Sequence, residues 1–514
     1  MLNAVINSIK KGKEDACDIT VNDVEKCFDS LWVQECINTL FEYGLTNDKL
    51  VLLYEESKTA MIAIKTSSGI TDREVIKNII MQGTVSGSLI CTTVMDKLAK
   101  IFYSDENLLY KYKGEVDIPV LGMVDDVLSV AKCSEKSVIT NATIVTFMEL
   151  NKLKLAAQKC AKIHIGKKCD NCPELKVHEE VMKESHAEKY LGDVISEDGT
   201  QDENIKARKL KGYSYISEIR ALLSDMPFGH RRVQVGLMLR NAMFVNGILC
   251  NSEAWHSISK SHIDQFEVMD RSLLKFIINA HSKVQNEFIY LETAAIPIKE
   301  VIASRRLMYL QNILKRPTNE LLRKVYTKQK ESPVWGDWVE LVNKDCERLK
   351  FDINEHKIEH ETKAEHKNNV EKKISQYVFD SLKQQQQEHS KIRDISYEKF
   401  KPQEYLQTHM LNNHEVSLLF SLRSRTTKQF KANFPYYQDQ QCPMPGCTKL
   451  DTPEHCLQCE KLVNDTQRND TQYNDIFDSD ITKQVAVTKI FASLLERRED
   501  SSASQPVGPD RELS

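Results

Sequence analysis

Two adjacent carboxylates, Asp125 and Asp126, stand inside a run of β-formers, with VDIPVLGMV at 116–124 ahead of them and VLSVAK at 127–132 behind. Acids among buried apolar strands are costly unless something compensates them. The chain must therefore expose the pair at a turn or hold positive charge against it. A hairpin turn meets the first condition, because Asp favours turns and the two flanking runs can meet there. A second acid bears on the second: Asp23 ends the β-run at 19–21 and opens Asp23-Val24-Glu25-Lys26-Cys27-Phe28-Asp29. Two strands ending in carboxylates can hold two divalent ions about 3.5–4 Å apart. Hard, oxygen-preferring Mg²⁺ (or Mn²⁺) suits such ligands.

The rest of the chain divides by pattern. Up to about residue 200, short β-rich runs (DITVNDV at 18–24, AMIAIKT at 60–66 and the two above) alternate with helical periodicity, which predicts an α+β domain over 1–200. From 201 to 350 long amphipathic helices take over, broken at Pro227-Phe228-Gly229 and Pro317. Residues 351–400 are rich in Glu, Lys, His and Gln, including Gln384 to Gln387, and read as a solvated helix or linker. A Cys/His-bearing module over 401–470 follows the aromatic stretch Phe434, Tyr436 and Tyr437, and 471–514 reads as a partly disordered tail. At 514 residues, two to four folded units are expected.

Composition excludes some classes. No stretch approaches 18 uninterrupted apolar residues, so no membrane span is expected. Met1-Leu2-Asn3 leads into Lys10, Lys11 and Lys13 without an apolar signal core, and the 14 scattered cysteines then read as free thiols or metal ligands of a reducing compartment. A net charge of -4 argues against a uniformly basic, phosphate-binding surface, yet residues 301–330 carry eight bases against Glu320 alone, a local charge of +7.

With these residues in view, the chain resembles the reverse transcriptases of non-LTR (LINE-type) retrotransposons. DVEKCFDSLW is similar to their motif A, Gln82-Gly83-Thr84-Val85-Ser86-Gly87-Ser88 to motif B, and MVDD to motif C. Asn151-Lys152-Leu153-Lys154-Leu155 through Lys159-Cys160 is similar to motif D, and Lys189-Tyr190-Leu191-Gly192 to the primer-grip motif E. The resemblance implies a right-hand polymerase palm, an antiparallel sheet with helices, followed by an all-helical thumb region and a small zinc-knuckle-like module. It implies Asp23, Asp125, Asp126 and the Val24 carbonyl as ligands of two Mg²⁺ ions, and Lys159 as general acid toward pyrophosphate. Phe28 falls at the sugar gate, its alternative being a core Phe beside Trp32. Gln82 and Gly83 would lie along the nucleotide, although a turn before a helix also explains Gly83. Tyr190, Leu191 and Gly192 would grip the primer.

Motif B departs from its usual Ser-Pro ending, reading Gly87-Ser88-Leu89, which leaves the helix start less rigid. The family also places fingers elements and commonly an endonuclease ahead of motif A. The resemblance thus suggests an N-terminally truncated chain, with Lys10, Lys11 and Lys13 as a remnant of the fingers.

Farther on, Asn251-Ser252-Glu253-Ala254-Trp255 is similar to a motif of the same family's thumb region, where Lys206, Arg208, Lys209 and Lys211 would bind phosphates without reading sequence. Cys442, Cys447, His455 and Cys459 form a C-x4-C-x7-H-x3-C array suited to structural Zn²⁺, with Cys456 as a competing ligand. Asp451-Thr452-Pro453-Glu454-His455 is similar to the family's segment there. His164, Cys169, Cys172 and His178 form a second Cys/His group, read as a hairpin rather than a zinc site. The implied activity is RNA-directed DNA synthesis from dNTPs on an RNA template, primed by target DNA, inside the cell in nucleus and cytoplasm. The rival is an inactive relic that only binds nucleic acid; an RNA-templated RNA polymerase is disfavoured by Phe28.

Overall fold

The computed structural model describes all residues except 59–60, 76–84, 133–134, 168–172, 225, 227–230, 435, 463–471 and 504–514. Gln82, Gly83, Cys169, Cys172 and the Pro227-Phe228-Gly229 break lie outside the described residues.

A five-stranded sheet organises the first 200 residues, with Cys17–Asp23 at its centre between Ala161–Ile165 and Asp126–Lys132. Both central pairings are antiparallel, Leu121–Met123 extends one edge antiparallel, and Lys183–Glu184 adds a parallel edge on the other. Alternation along the central strand explains how one polar-looking run fills that place. Cys17 and Ile19 lie with Leu128, Val130, Ile163 and Ile165 against Ala4, Val5, Ile6 and Ile9 of the helix Leu2–Lys10. Burying each large aliphatic there contributes roughly 1.5–3 kcal/mol.

The opposite face carries Asp18, Thr20 and Asn22, equally buried, and each makes a side-chain hydrogen bond within its strand or across to a neighbour. Thr20 and Ser129, register partners, join hydroxyls at 2.7 Å, and Asn22 donates to Thr20 at 3.0 Å. His164 Nδ1 lies 2.9 Å from its register partner Asp18. Buried polar groups are tolerated when paired in this way. His164 is thus engaged inside the sheet, and His178 lies 3.0 Å from Glu149. The AMIAIKT run yields only short, exposed pieces, Met61–Ile62 paired with Glu74–Val75 and Lys65–Thr66 with Gly69–Ile70.

From Ile205 to Leu495 a single hydrophobic core runs through the helices, Phe266, Leu307, Phe420 and Phe491 among its fully buried residues. This bears on two expectations. Of the solvated helix or linker expected over 351–400, the helix is present, but it is not wholly solvated: Lys363–Gln386 has His366, Val370, Ile374, Val378 and Leu382 buried at four-residue spacing and is started by a Thr362/Glu365 capping box. Gln386 is buried too and donates to the Ile395 carbonyl at 2.8 Å. Within the 471–514 tail expected as partly disordered, Ile481–Ala503 is a helix whose Val487, Phe491 and Leu494 pack into the same core, while 504–514 lie outside the described residues. Among the described residues, no helix is long and apolar enough to cross a membrane.

Part of the basic run at 301–330 is neutralised within the fold. Arg306 is buried against Asp345, Arg316 pairs with Glu320 at 2.9 Å, Lys328 with Glu115 at 2.5 Å and Lys330 with Glu355 at 2.6 Å. Three of these four carboxylates lie outside the run.

Candidate active site and metal centre

Asp23 and Asp126 face each other as register partners on the two central antiparallel strands. Met123 and Asp126 close the neighbouring hairpin around Val124-Asp125, with Val124 at φ 59°. The turn foreseen as an alternative to a site is present, and it is where the candidate acids stand. A β-branched residue in the left-handed region is strained, by roughly 1–3 kcal/mol, and such strain gathers at functional sites.

Like charges directly opposite on a sheet destabilise it. Burial first, then Asp125 and Asp23, raise the Asp126 carboxyl above its ordinary range. Lys159 supplies the cation, its Nζ donating to Asp23 Oδ2 at 3.0 Å, and the carboxylate in turn raises the ammonium. Backbone bonds fix that lysine's turn: Ala156 N donates to the Asp23 carbonyl at 2.9 Å, Glu25 N to the Lys154 carbonyl at 2.8 Å, and Val24 bridges Leu155. Motifs A and D are therefore one unit. Phe28 is half-buried against the core beneath the site, whereas Trp32 points outward, 47% exposed, with Lys152 over its ring. The two aromatics do not form a joint core.

Tyr190, Leu191 and Gly192 form the end of a tight hairpin between Ala187–Tyr190 and Asp193–Ser196. Its two central residues have φ 47° and 87°, as a two-residue primed turn requires. Both turn carbonyls are caught: Asn251 Nδ2 donates to Leu191 O at 2.9 Å, and Arg208 donates to Gly192 O at 2.8 Å and to Asp193 at 2.7 Å. Trp255 Nε1 reaches the same Asp193 carboxylate at 3.4 Å. The Asn-Ser-Glu-Ala-Trp segment thus anchors this hairpin, a link the sequence did not reveal. Arg208 is corrected accordingly, being buried at that joint and not a phosphate ligand, and Lys209 donates to Gln265 at 2.7 Å. Burial, with the Asp126 charge adding, pushes the Tyr190 phenol up to about 12, so the hairpin sits within electrostatic reach of the acids.

At the other end, Cys442, Cys447, His455 and Cys459 place one ligand atom each within 4.8 Å of one another. Cys442 and Cys459 sulfurs are 4.0 Å apart, and Cys447 Sγ is 3.2 Å from His455 Nε2. Tetrahedral Zn²⁺ with bonds of about 2.0–2.3 Å calls for separations of this size, so the donor set fits zinc. Cys456 is not among them: it is buried, its thiol pushed up to about 12 by burial, in the electrostatic field of Arg498 and Asp451. The neighbouring segment has local roles. Thr452 caps the helix Pro453–Gln458 through His455 N at 3.1 Å, and buried Asp451 holds Arg498 at 2.7 Å and Lys431 N at 2.9 Å.

No curated protein matches the chain. Among solved structures, it is similar to apo telomerase from Candida tropicalis truncated from its C-terminal domain (15% identity, TM-score 0.27, 38% of this chain and 37% of that one). It is also similar to Candida tropicalis telomerase in complex with a TWJ fragment of telomeric RNA (11%, 0.33, 70% and 50%) and to the Candida albicans counterpart (10%, 0.31, 66% and 54%). The chain thus spans about half or less of the length of these structures. Residues 4–195 match the family model of reverse transcriptase (RNA-dependent DNA polymerase), the segment that holds the sheet, the paired acids and all but the last residue of the second strand, Asp193–Ser196, of that hairpin. Residues 4–195 are a reverse transcriptase domain.

Proposed function

We propose that the chain is the polymerase of a non-LTR (LINE-type) retrotransposon, transferring nucleotides from dNTPs to a DNA primer 3′-OH on an RNA template. The observation that carries this reading is the pairing of Asp23 with Asp126 beside the Val124-Asp125 turn, within a reverse transcriptase domain. Three carboxylates against one lysine leave negative charge over, a donor set that fits hard divalent ions. Asp23, Asp125, Asp126 and the Val24 carbonyl would hold two Mg²⁺ ions, which when bound stabilise the attacking and leaving oxygens. Lys159 Nζ delivers a proton to the departing pyrophosphate, Phe28 screens the sugar, Gln82 and Gly83 line the nucleotide, and the Tyr190–Gly192 turn seats the primer end.

The coupling of Asn251 and Trp255 to the grip hairpin and the Cys/His tetrad support the non-LTR assignment within the family. In that reading the tetrad is a zinc-knuckle-like module, and target DNA serves as primer. The test is extension of a DNA primer on an RNA template with Mg²⁺ or Mn²⁺. Template-directed dNTP incorporation is expected; tight template-primer binding with no incorporation in either metal would favour a binding-only protein.

The metal centre has its own test. The purified protein should contain about one zinc, and Cys447→Ser or Cys459→Ser should remove it. Because structural zinc contributes apparent folding energy of about 10–16 kcal/mol in isolated fingers, chelation should expose residues 430–462 to protease. A zinc-free protein with the Cys442, Cys447 and Cys459 thiols freely titratable would contradict the assignment.

A further inference from the structure

Phe434, Tyr436 and Tyr437 stand out in the sequence, and the palm chemistry makes no use of them. Phe434 is buried, and its ring carries Tyr436 at 5.5 Å and Tyr437 at 6.3 Å between centroids, the two tyrosines lying 4.8 Å apart. Tyr436 is 57% exposed and Tyr437 40%. A buried ring thus props two solvent-facing ones into a platform. Cations surround it. The loop after Lys260–Ile278 brings His281 to 5.4 Å from Phe434 and the Lys283 ammonium to 4.3 Å from the Tyr436 centroid. Lys391 lies 5.6 Å from the Phe434 centroid while donating to the Asn433 carbonyl.

Burial first, then Lys428, Lys283, Lys275 and Lys391, hold the His281 imidazole below its ordinary value, so four ammonium groups share this neighbourhood. Two carboxylates of adjoining segments are already engaged, Asp439 with Lys431 at 3.2 Å and Glu287 with His389 at 3.2 Å. Exposed aromatic faces next to lysines suit one ligand chemistry: bases with free π-faces, joined by phosphates. A duplex hides those faces within its own stack.

We propose that this surface binds single-stranded nucleic acid, with unpaired bases stacked on Tyr436 and Tyr437 and backbone phosphates on Lys283, Lys391 and Lys428. It lies outside residues 4–195 and is a second site, resting on the polymerase reading only for the class of ligand. It would hold a stretch of unpaired strand away from the paired template and primer.

The test uses the full chain and twelve-nucleotide strands carrying 4-thiouridine (RNA) or 4-thiothymidine (DNA), photocrosslinked with and without a competing duplex. Crosslinks to Tyr436 or Tyr437 that resist duplex competition are expected, and the RNA and DNA arms show which strand is preferred. Tyr436→Ala with Tyr437→Ala should weaken binding roughly tenfold per ring, while Tyr436→Phe with Tyr437→Phe retains it. Lys283→Gln with Lys428→Gln should lower the salt dependence of binding by about two phosphate contacts. Asp125→Ala should block extension and leave these crosslinks intact, so this proposal and the polymerase reading fail separately. Crosslinks confined to the palm would overturn the proposal, as would a Phe pair that loses as much as the Ala pair, or preferential capture of an acidic peptide. Should the Ala pair not fold, unchanged crosslinking in the lysine pair would overturn it.

Discussion

Asp125→Ala and Asp23→Ala are each expected to reduce RNA-templated extension by on the order of 10³-fold or more, since each removes charge that divalent ions need to stabilise attacking and leaving oxygens, worth several kcal/mol. A second readout separates a chemical role from a structural one. Asp126 is raised by burial and by Asp125 and Asp23, so in the absence of cations the cluster opposes folding. Asp126→Asn should therefore leave the melting temperature unchanged or raise it by the equivalent of about 0.2–1 kcal/mol, while lowering extension. Asp23→Asn forfeits the Lys159 ion pair, 70% and 35% exposed at its two side chains, and should gain less. Acids kept for stability would lower the melting temperature when neutralised. A melting temperature that falls in Asp126→Asn, with extension intact, would move the catalytic centre elsewhere.

The acids were legible because their pattern is local: a strand that ends in Asp23 and a two-residue interruption between β-runs say where carboxylates emerge. Their convergence was expected, but the register that sets Asp23 opposite Asp126 was not legible, because it is fixed by cross-strand partners far apart in sequence, such as Thr20 with Ser129 and Asp18 with His164. The same non-locality misled the charge analysis. A +7 run is partly neutralised once Glu115, Asp345 and Glu355 fold onto it.

The segment at 351–400 was misjudged for another reason. Its average composition is that of a solvated chain, but one apolar residue every four, from Val370 to Leu382, suffices to bury one stripe of a helix. Periodicity carried the information that composition obscured. The Cys/His tetrad was legible as a spacing, yet the choice between Cys456 and Cys459 needed the helix Pro453–Gln458, which turns Cys456 toward Arg498.

Glu292→Gln is expected to destabilise the helical part by about 3–5 kcal/mol, the cost of leaving a buried charge without its partner. Glu292 is fully buried and accepts from Arg423 at 2.9 and 3.1 Å, from Tyr397 and from Tyr405. Burial, and then this carboxylate, hold both phenols well above their usual range, so they remain proton donors. Arg423 also donates to the Ile476 carbonyl at 2.7 Å. One carboxylate thereby ties the helix Asn286–Thr293 to residues 397 and 405, to Asn413–Arg423 and, through Arg423, to the C-terminal segment. Stretches that read as linker, module and tail are joined at this point, so Glu292→Gln should lower a single cooperative unfolding transition rather than release the C-terminal part alone. Tyr397→Phe should cost less, about 1–3 kcal/mol, because it removes one hydrogen bond to a charged group. Replacing both charges, Glu292→Leu with Arg423→Leu, should recover part of the loss because no unpaired ion is left in the core. Chemical denaturation followed by tryptophan fluorescence measures all four proteins. A double variant no better than Glu292→Gln, or separate transitions for the two ends in the wild type, would show that the network does not link these segments.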